Sequence, residues 1–239
     1  MAHEATVRRR TALGAVTVQT VLGAVGATAL TLAALVACSS SSSGASSITV
    51  DAVHTAAGKL GKAGGACPLG LDVNAALKTA GVSGTAAPDT QGGPEATGTT
   101  PETADAGSPS QQYGFSMIQC SYVITDGATT TNLDVNLGAM AGKSGAVVNI
   151  LAPLISRDGH VAVSDLRTFL TPPFKSSQSR ETPGRATAIY SQLSGSGSGV
   201  GLELGTSLAP NEDATPALSG PALQRFATAL TGHLQLSKS

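Results

Sequence analysis

The stretch YGFSMIQCSYVITDGATTTNLDVNL, residues 113–137, decides the fold. In its first half Ile118, Cys120, Tyr122 and Ile124 alternate along the chain. Successive strand side chains point to opposite sides, so these four share one face. Asp126-Gly127 follows, a pair that accepts the positive φ of a tight hairpin turn. In the second half Leu133, Val135 and Leu137 alternate with Asn132, Asp134 and Asn136. Two such runs joined by this turn predict an antiparallel hairpin, apolar face inward and polar face in solvent. On this reading Asp134, and Glu203 further on, are solvated charges on outward strand faces.

Towards the C-terminus, residues 144–156 carry Val147, Val148, Leu151, Leu154 and Ile155 at helical spacing, with Ser144 as the expected cap and Lys143 in solvent. Pro153 should kink this helix or limit it to its early turns. Residues 161–170 read as one or two short strands, and 171–184, with three prolines, as loop. Residues 185–193 and 200–208 form a second strand pair, joined through the Gly/Ser run 194–199. A loop over 211–220 leads to a last helix from Pro221, with Leu223, Phe226, Ala227, Leu230 and Leu234 as its buried stripe. Towards the N-terminus, Val50, Val53, Ala57 and Leu60 mark a helix, and residues 61–65 interrupt it. A second short helix starts at Asp72, buries Val73, Ala76, Leu77 and Ala80, and stops at Gly81. Residues 84–112 hold no large aliphatic side chain and no apolar period, so they are expected to be a disordered internal loop. The sum is α+β: a mainly antiparallel sheet of about four to five strands with helices packed on it, as a single domain over 48–239.

The first forty residues speak of location. Arg8, Arg9 and Arg10 precede a 27-residue run, 11–37, without a charge, which ends in Leu35-Val36-Ala37-Cys38. A basic start, an apolar middle and small residues at a cut are the marks of an export signal. Residues 1–37 are therefore expected to be a signal peptide and 38–47 a flexible Ser-rich tether. An uncleaved membrane helix is the other reading, since about 20 apolar residues span a bilayer. Both put the rest of the chain outside the cytoplasm. Export by the Sec or the twin-arginine route is left open.

Charged residues make up 12% of the chain and aromatic ones 3%. Removing 1–37 takes three arginines and Glu4 from 14 basic and 15 acidic side chains, leaving 11 and 14, a net charge of −3. No basic footprint points to nucleic acid, and membrane attachment falls to a lipid. After Cys38 only Cys67 and Cys120 remain. Two cysteines in an exported chain are expected to pair, and the absence of CxxC and of nearby histidines argues against metal or redox work.

Chemical motifs fail on spacing. In LGAMAGKSGAVV, residues 137–148, Gly138 and Gly142 are separated by three residues, where a phosphate loop needs four. Export away from cytoplasmic ATP further argues against a nucleotide. The run 194–201 alternates Gly195, Gly197, Gly199 and Gly201 and leads into a strand, so it is no dinucleotide fingerprint; Ser196 and Ser198 lack the glycine that a nucleophile elbow needs two positions before. His160 lies near Asp158, Ser164 and Asp165, but a catalytic triad is a matter of geometry and not of adjacency. His54 and His233 sit on separate helical stretches, without metal-ligand spacing. No catalytic residue, cofactor or metal is expected.

Leu35 to Cys38 resembles the bacterial lipobox, which implies cleavage before Cys38 and a thioether-linked diacylglycerol on it. The wider layout resembles small actinobacterial lipoproteins of unknown function. The residues that carry this are the lipobox, the Ser tether, Cys67-Pro68-Leu69 before a short helix, Cys120-Ser121-Tyr122 in a strand, and the closing helix Leu223 to Leu234. The resemblance implies a cell-membrane anchor on the extracytoplasmic face and two cysteines that staple sheet to helix. It carries no catalytic residues; the 84–112 segment departs from it. The expected function is non-enzymatic: binding of an apolar or envelope-derived ligand or of a protein partner. The alternative is an extracytoplasmic hydrolase with His160 as general base.

Overall fold

A computed structural model describes residues 48–142, 146–183, 188–193, 199–208 and 218–236. The expected signal, Cys38, the tether, Lys143, Ser144 and most of the 194–199 and 211–220 loops lie outside the described residues.

The opening hairpin is β3 (Phe115–Asp126) and β4 (Thr129–Met140), paired antiparallel over its whole length with Cys120 opposite Val135. Around it stand β1 (Thr85–Pro88), β2 (Ala96–Thr99), β5 (Ser179–Glu181), β6 (Ala188–Gln192) and β7 (Gly199–Leu208). Every strand pair is antiparallel, in the order β1-β3-β4-β7-β6-β5, with β2 also on β3. The helices are α1 (Val50–Leu60), α2 (Val73–Ala80), α3 (Pro109–Tyr113), α4 (Ala146–Asp158), α5 (Val163–Leu170) and α6 (Gly220–His233). The fold is α+β with a mainly antiparallel sheet, but its seven described strands exceed the four to five expected. Among the described residues no helix is long and apolar enough to cross a membrane.

The helix ends follow from local chemistry. Thr49 caps α1 by accepting from the Ala52 amide, and Asp72 caps α2 by accepting from Ala75 at 2.9 Å. Gly81 closes α2 in the left-handed conformation at φ 76°. α1, α2 and α6 cover the sheet face that carries Ile118, Cys120, Val135, Leu137, Leu202 and Leu204, all buried. Close approach here depends on one glycine. A Cβ on Gly98 of β2 would fall inside the Ala57 carbonyl of α1, and backbone cannot rotate aside. Gly98→Ala is expected to destabilise by about 2 kcal/mol, in the range of overpacked cores. A thermal melt within a degree of wild type would show that α1 gives way freely.

The other face overturns the solvent reading of the polar strand positions. α4 and α5 lie over it with Phe115, Phe169, Phe174 and Tyr190, four of the chain's seven aromatic residues. Phe174 meets Tyr190 edge-on at 4.7 Å between centroids, and Arg180 lies 3.2 Å over the Phe174 ring. Beneath α4, Asn136 and Glu203 are fully buried, and the Asp134 side chain is only 29% exposed. Their polarity alone predicts an outward position; they are covered because α4 lies across them. The alternating glycines of β7 make the room. A Cβ on Gly201 would strike the Tyr190 hydroxyl, and one on Gly205 the Asp158 carboxylate.

Four further expectations are corrected. Residues 84–112 are not structureless: they hold β1, β2 and α3. Residues 163–170 form α5 and not strand, because Leu166, Phe169 and Leu170 recur at helical spacing and meet the aromatic cluster. Residues 179–181, assigned to loop, pair with β6. The helix of residues 146–158 is not limited to its early turns but continues past Pro153, which sits on its exposed side.

Candidate binding groove

Cys67 and Cys120 are bonded, as expected, with Cα atoms 5.7 Å apart. The bond fixes the segment before α2 to the middle of β3. Leu69 of that segment is fully buried, and its carbonyl accepts from the Gln235 amide at 3.2 Å. Gly70 beside it takes φ 59°, a left-handed conformation that glycine adopts readily. The segment is thus held at three points and forms one wall of a groove.

The opposite wall is the sheet edge. β1 and β2 lie end to end along the same side of β3, and residues 89–95 leave that line and return to it. Both ends of the excursion fasten on Ser121: the Asp89 amide donates to its carbonyl at 2.9 Å, and its amide donates to the Glu95 carbonyl at 3.0 Å. The outer edge of β1 is closed by Asn74 of α2, whose side chain accepts from the Ala86 amide at 2.8 Å and donates to its carbonyl at 3.1 Å. An edge strand is thereby paired by a side-chain amide, which guards it against further strand addition.

Between these walls opens a groove of about 510 Å³, with Asp72, Asn74, Glu95 and Tyr122 among its lining. That volume lies within the range of small-molecule sites. A smaller groove of about 260 Å³ lies on the opposite sheet face, lined by Asp89, Gln119 and Ser121, and shares Glu95 with the first. The larger lining is mostly polar and includes no lysine, arginine or histidine. Tyr122 is 7% exposed, and its hydroxyl makes no hydrogen bond. Burial first, then the Glu95 carboxylate, push that phenol up to about 12, so it stays protonated. Cys67 and Cys120, expected to be structural, place this site; Glu95, Tyr122 and Asn74 were not singled out from sequence. Tyr122 reads as a core residue there, and Glu95 falls in a stretch taken for loop.

Two other clusters have chemical side chains, each with its central group buried. His54 Nδ1 lies 3.0 Å from Ser116 Oγ, and its Nε2 lies 3.8 Å from Glu102 Oε2. The order nucleophile, base, acid is that of a triad. Ser116, however, is 2% exposed beneath α1, and neither groove reaches it. We read it as a fastening of α1 to β3 and the 100–104 turn. No sequence spacing could have found it, because His54 and Ser116 stand 62 positions apart. Ser116→Ala is expected to destabilise by about 1 kcal/mol through the lost hydrogen bond; an unchanged melt would show that the contact contributes nothing.

Under α4, Asn136 Nδ2 donates to Glu203 Oε2 at 2.7 Å, and Arg157 pairs with Asp158 and, at 3.5 Å, with Asp134. Ser121 Oγ also donates to Asp134 at 2.8 Å. Burial, and next the Asp158 charge, hold Glu203 well above the ordinary carboxylate range. Asp134 is raised as well, chiefly by burial. His160 has an exposed side chain on a residue at φ 47°, and no hydrogen bond joins that side chain to Asp158, Ser164 or Asp165. Among the described residues no group of histidines, cysteines and carboxylates could hold a metal ion.

Comparison with protein-family models, with curated proteins and with solved structures returns no match. The groove therefore stands on its own geometry.

Proposed function

We propose that the chain is an extracytoplasmic binding lipoprotein, held to the cell membrane through a lipid on Cys38 and taking a small polar ligand in the groove beside the disulfide. One observation carries the binding part: a groove of ligand size lined by a tyrosine whose ring is buried and whose hydroxyl has no partner within the protein. A hydroxyl held in place at a groove wall and bonded to no protein group is free to bond a ligand there. The polar lining favours a polar envelope-derived ligand over an apolar one. The Ser-rich composition of residues 38–47 is that of a tether, which supports this reading. Among the described residues, no hydrogen bond of the His160 side chain supports the hydrolase alternative.

Each part has its own test. Cys38→Ala should shift the protein from the membrane fraction to the soluble extracytoplasmic fraction, and unchanged retention would refute the lipid anchor. Native mass spectrometry of the full chain, extracted in detergent from its own membranes, should show a retained small molecule. Ala86→Phe, which fills the groove from β1, should abolish that retention. A chain that carries nothing, or one whose cargo survives the groove-filling variant, would overturn the binding reading.

A further inference from the structure

We propose that the groove between the disulfide segment and the 89–95 excursion recognises a primary ammonium group, with Glu95 as its counter-ion and the Tyr122 hydroxyl and Asp72 carboxylate as flanking acceptors. This rests on the binding reading above and names the class of ligand.

The argument begins with charge. Two carboxylates, Asp72 and Glu95, line one groove and no basic side chain does. Glu95 forms no ion pair or side-chain hydrogen bond, although it is half-buried. A half-buried carboxylate without a cation favours any ligand that brings one. Carboxylates alone would not make a site, since exposed acids are usually solvated.

The second observation is Tyr122. It is held in place as part of β3, opposite Leu133 in register and two residues from the disulfide at Cys120. The residue packs against the core and also lines the groove, and its hydroxyl has no partner within the protein. The phenol stays protonated and uncharged, so it can accept one hydrogen bond and donate one. An ammonium has three donors and no acceptor, which matches two carboxylates and a phenol oxygen lining one groove.

The third observation separates an organic cation from a metal. No set of three carboxylate, histidine or cysteine ligands stands together among the described residues. Asp72 already accepts from the Ala75 amide as the cap of α2. A hard divalent cation needs six or more oxygens; a single ammonium is satisfied by three acceptors.

The walls are firm. Asn74 is clamped to Ala86, residues 67–72 are tied by the disulfide and by Gln235, and both ends of the excursion bond to Ser121. Recognition is therefore pre-organised, which spares the ligand the ordering of a loop.

The test is calorimetric titration of the full, detergent-extracted chain with 1,5-diaminopentane, with 1,5-pentanediol and glutarate as neutral and anionic probes of the same length. Saturable binding is expected for the diamine alone. It should weaken roughly tenfold in Glu95→Gln, the loss of one charge-assisted contact. Tyr122→Phe should weaken it a few-fold, and Asp105→Asn, remote from the groove, should leave it unchanged. Rising salt should weaken it further. Binding of the diol or glutarate with equal strength would overturn the ammonium assignment and leave the binding reading standing. So would displacement of the diamine by calcium at equal concentration, which would make the site a metal site. A diamine that fails to bind while the extracted chain retains a small molecule overturns the assignment alone.

Discussion

In a Cys67→Ala/Cys120→Ala double variant the thermal midpoint is expected to fall by roughly 8–16 °C, a loss of about 4 kcal/mol. The two positions are 53 apart in sequence, and closing that loop removes freedom from the unfolded chain that the variant regains. Between them lie α2, β1, β2 and α3, elements made mostly of small side chains. β1 and β2 hold to β3 through backbone ladders, with little apolar burial to help: Ala96 is the one fully buried hydrophobic residue in the two strands. The bond thus secures the part of the sheet that side-chain packing secures least. A double variant is needed because a single one leaves a thiol free to pair between molecules. A fall of under about 3 °C would mean that the β2–β3 ladder already constrains the unfolded chain, or that the loop entropy is offset by native strain. Residues 67–72 are one wall of the groove, so ligand retention should fall with the midpoint.

The same segment shows why part of the fold was hidden from sequence. Alternation revealed β3, β4 and β7 because Ile118, Val135 and Leu202 face a core on every second position. β1 and β2 are Thr-Ala-Ala-Pro and Ala-Thr-Gly-Thr. Such side chains carry no periodic signal, and what places them is the unpaired edge of β3. Disorder was inferred from the lack of large aliphatics, but an edge strand needs a partner ladder more than a hydrophobic face. Gly98 is the residue that could have warned of this, since a glycine in a strand marks close backbone approach.

The second face was misread for a different reason. Alternation tells which side chains share a face and not whether a helix covers it. Asp134, Asn136 and Glu203 were assigned to solvent by type, although the glycines that flank Glu203 at 201 and 205 leave space only a covering layer would use. The groove was least legible of all. Its lining comes from four separate segments, and Tyr122 appears in the alternation as one more core residue. Only the excursion at 89–95, bonded at both ends to Ser121, turns that ring into a floor.

Glu203 gives the other large effect, and the expected result depends on both pH and the replacing residue. Its Oε1 and the Oδ1 of Asn136 are buried without a hydrogen bond, while Asn136 Nδ2 serves Oε2. Two acceptors are thus left over in one pair. A proton on Glu203 supplies the donor that the pair lacks. With the folded pKa raised above the unfolded value, the native state binds the extra proton, so stability is highest below the unfolded carboxylate pKa and declines as pH rises towards the folded one. Asp134, raised by burial, pulls in the same direction. Wild type should therefore melt lower at about pH 8 than at about pH 5. Glu203→Gln, which keeps the shape and carries an amide donor at every pH, should match wild type in acid and exceed it in base. Glu203→Ala strands the Asn136 amide and opens a cavity under α4, for a loss of about 3 kcal/mol at either pH. Melts of the three proteins across that range decide the matter: a wild-type midpoint that rises with pH, or a Glu203→Gln curve parallel to wild type, would show that Glu203 is ionised in the folded chain. Arg157 would then have to offset that charge against the opposing Asp158, and the polar layer under α4 would be an ion network in place of a neutral hydrogen-bonded one.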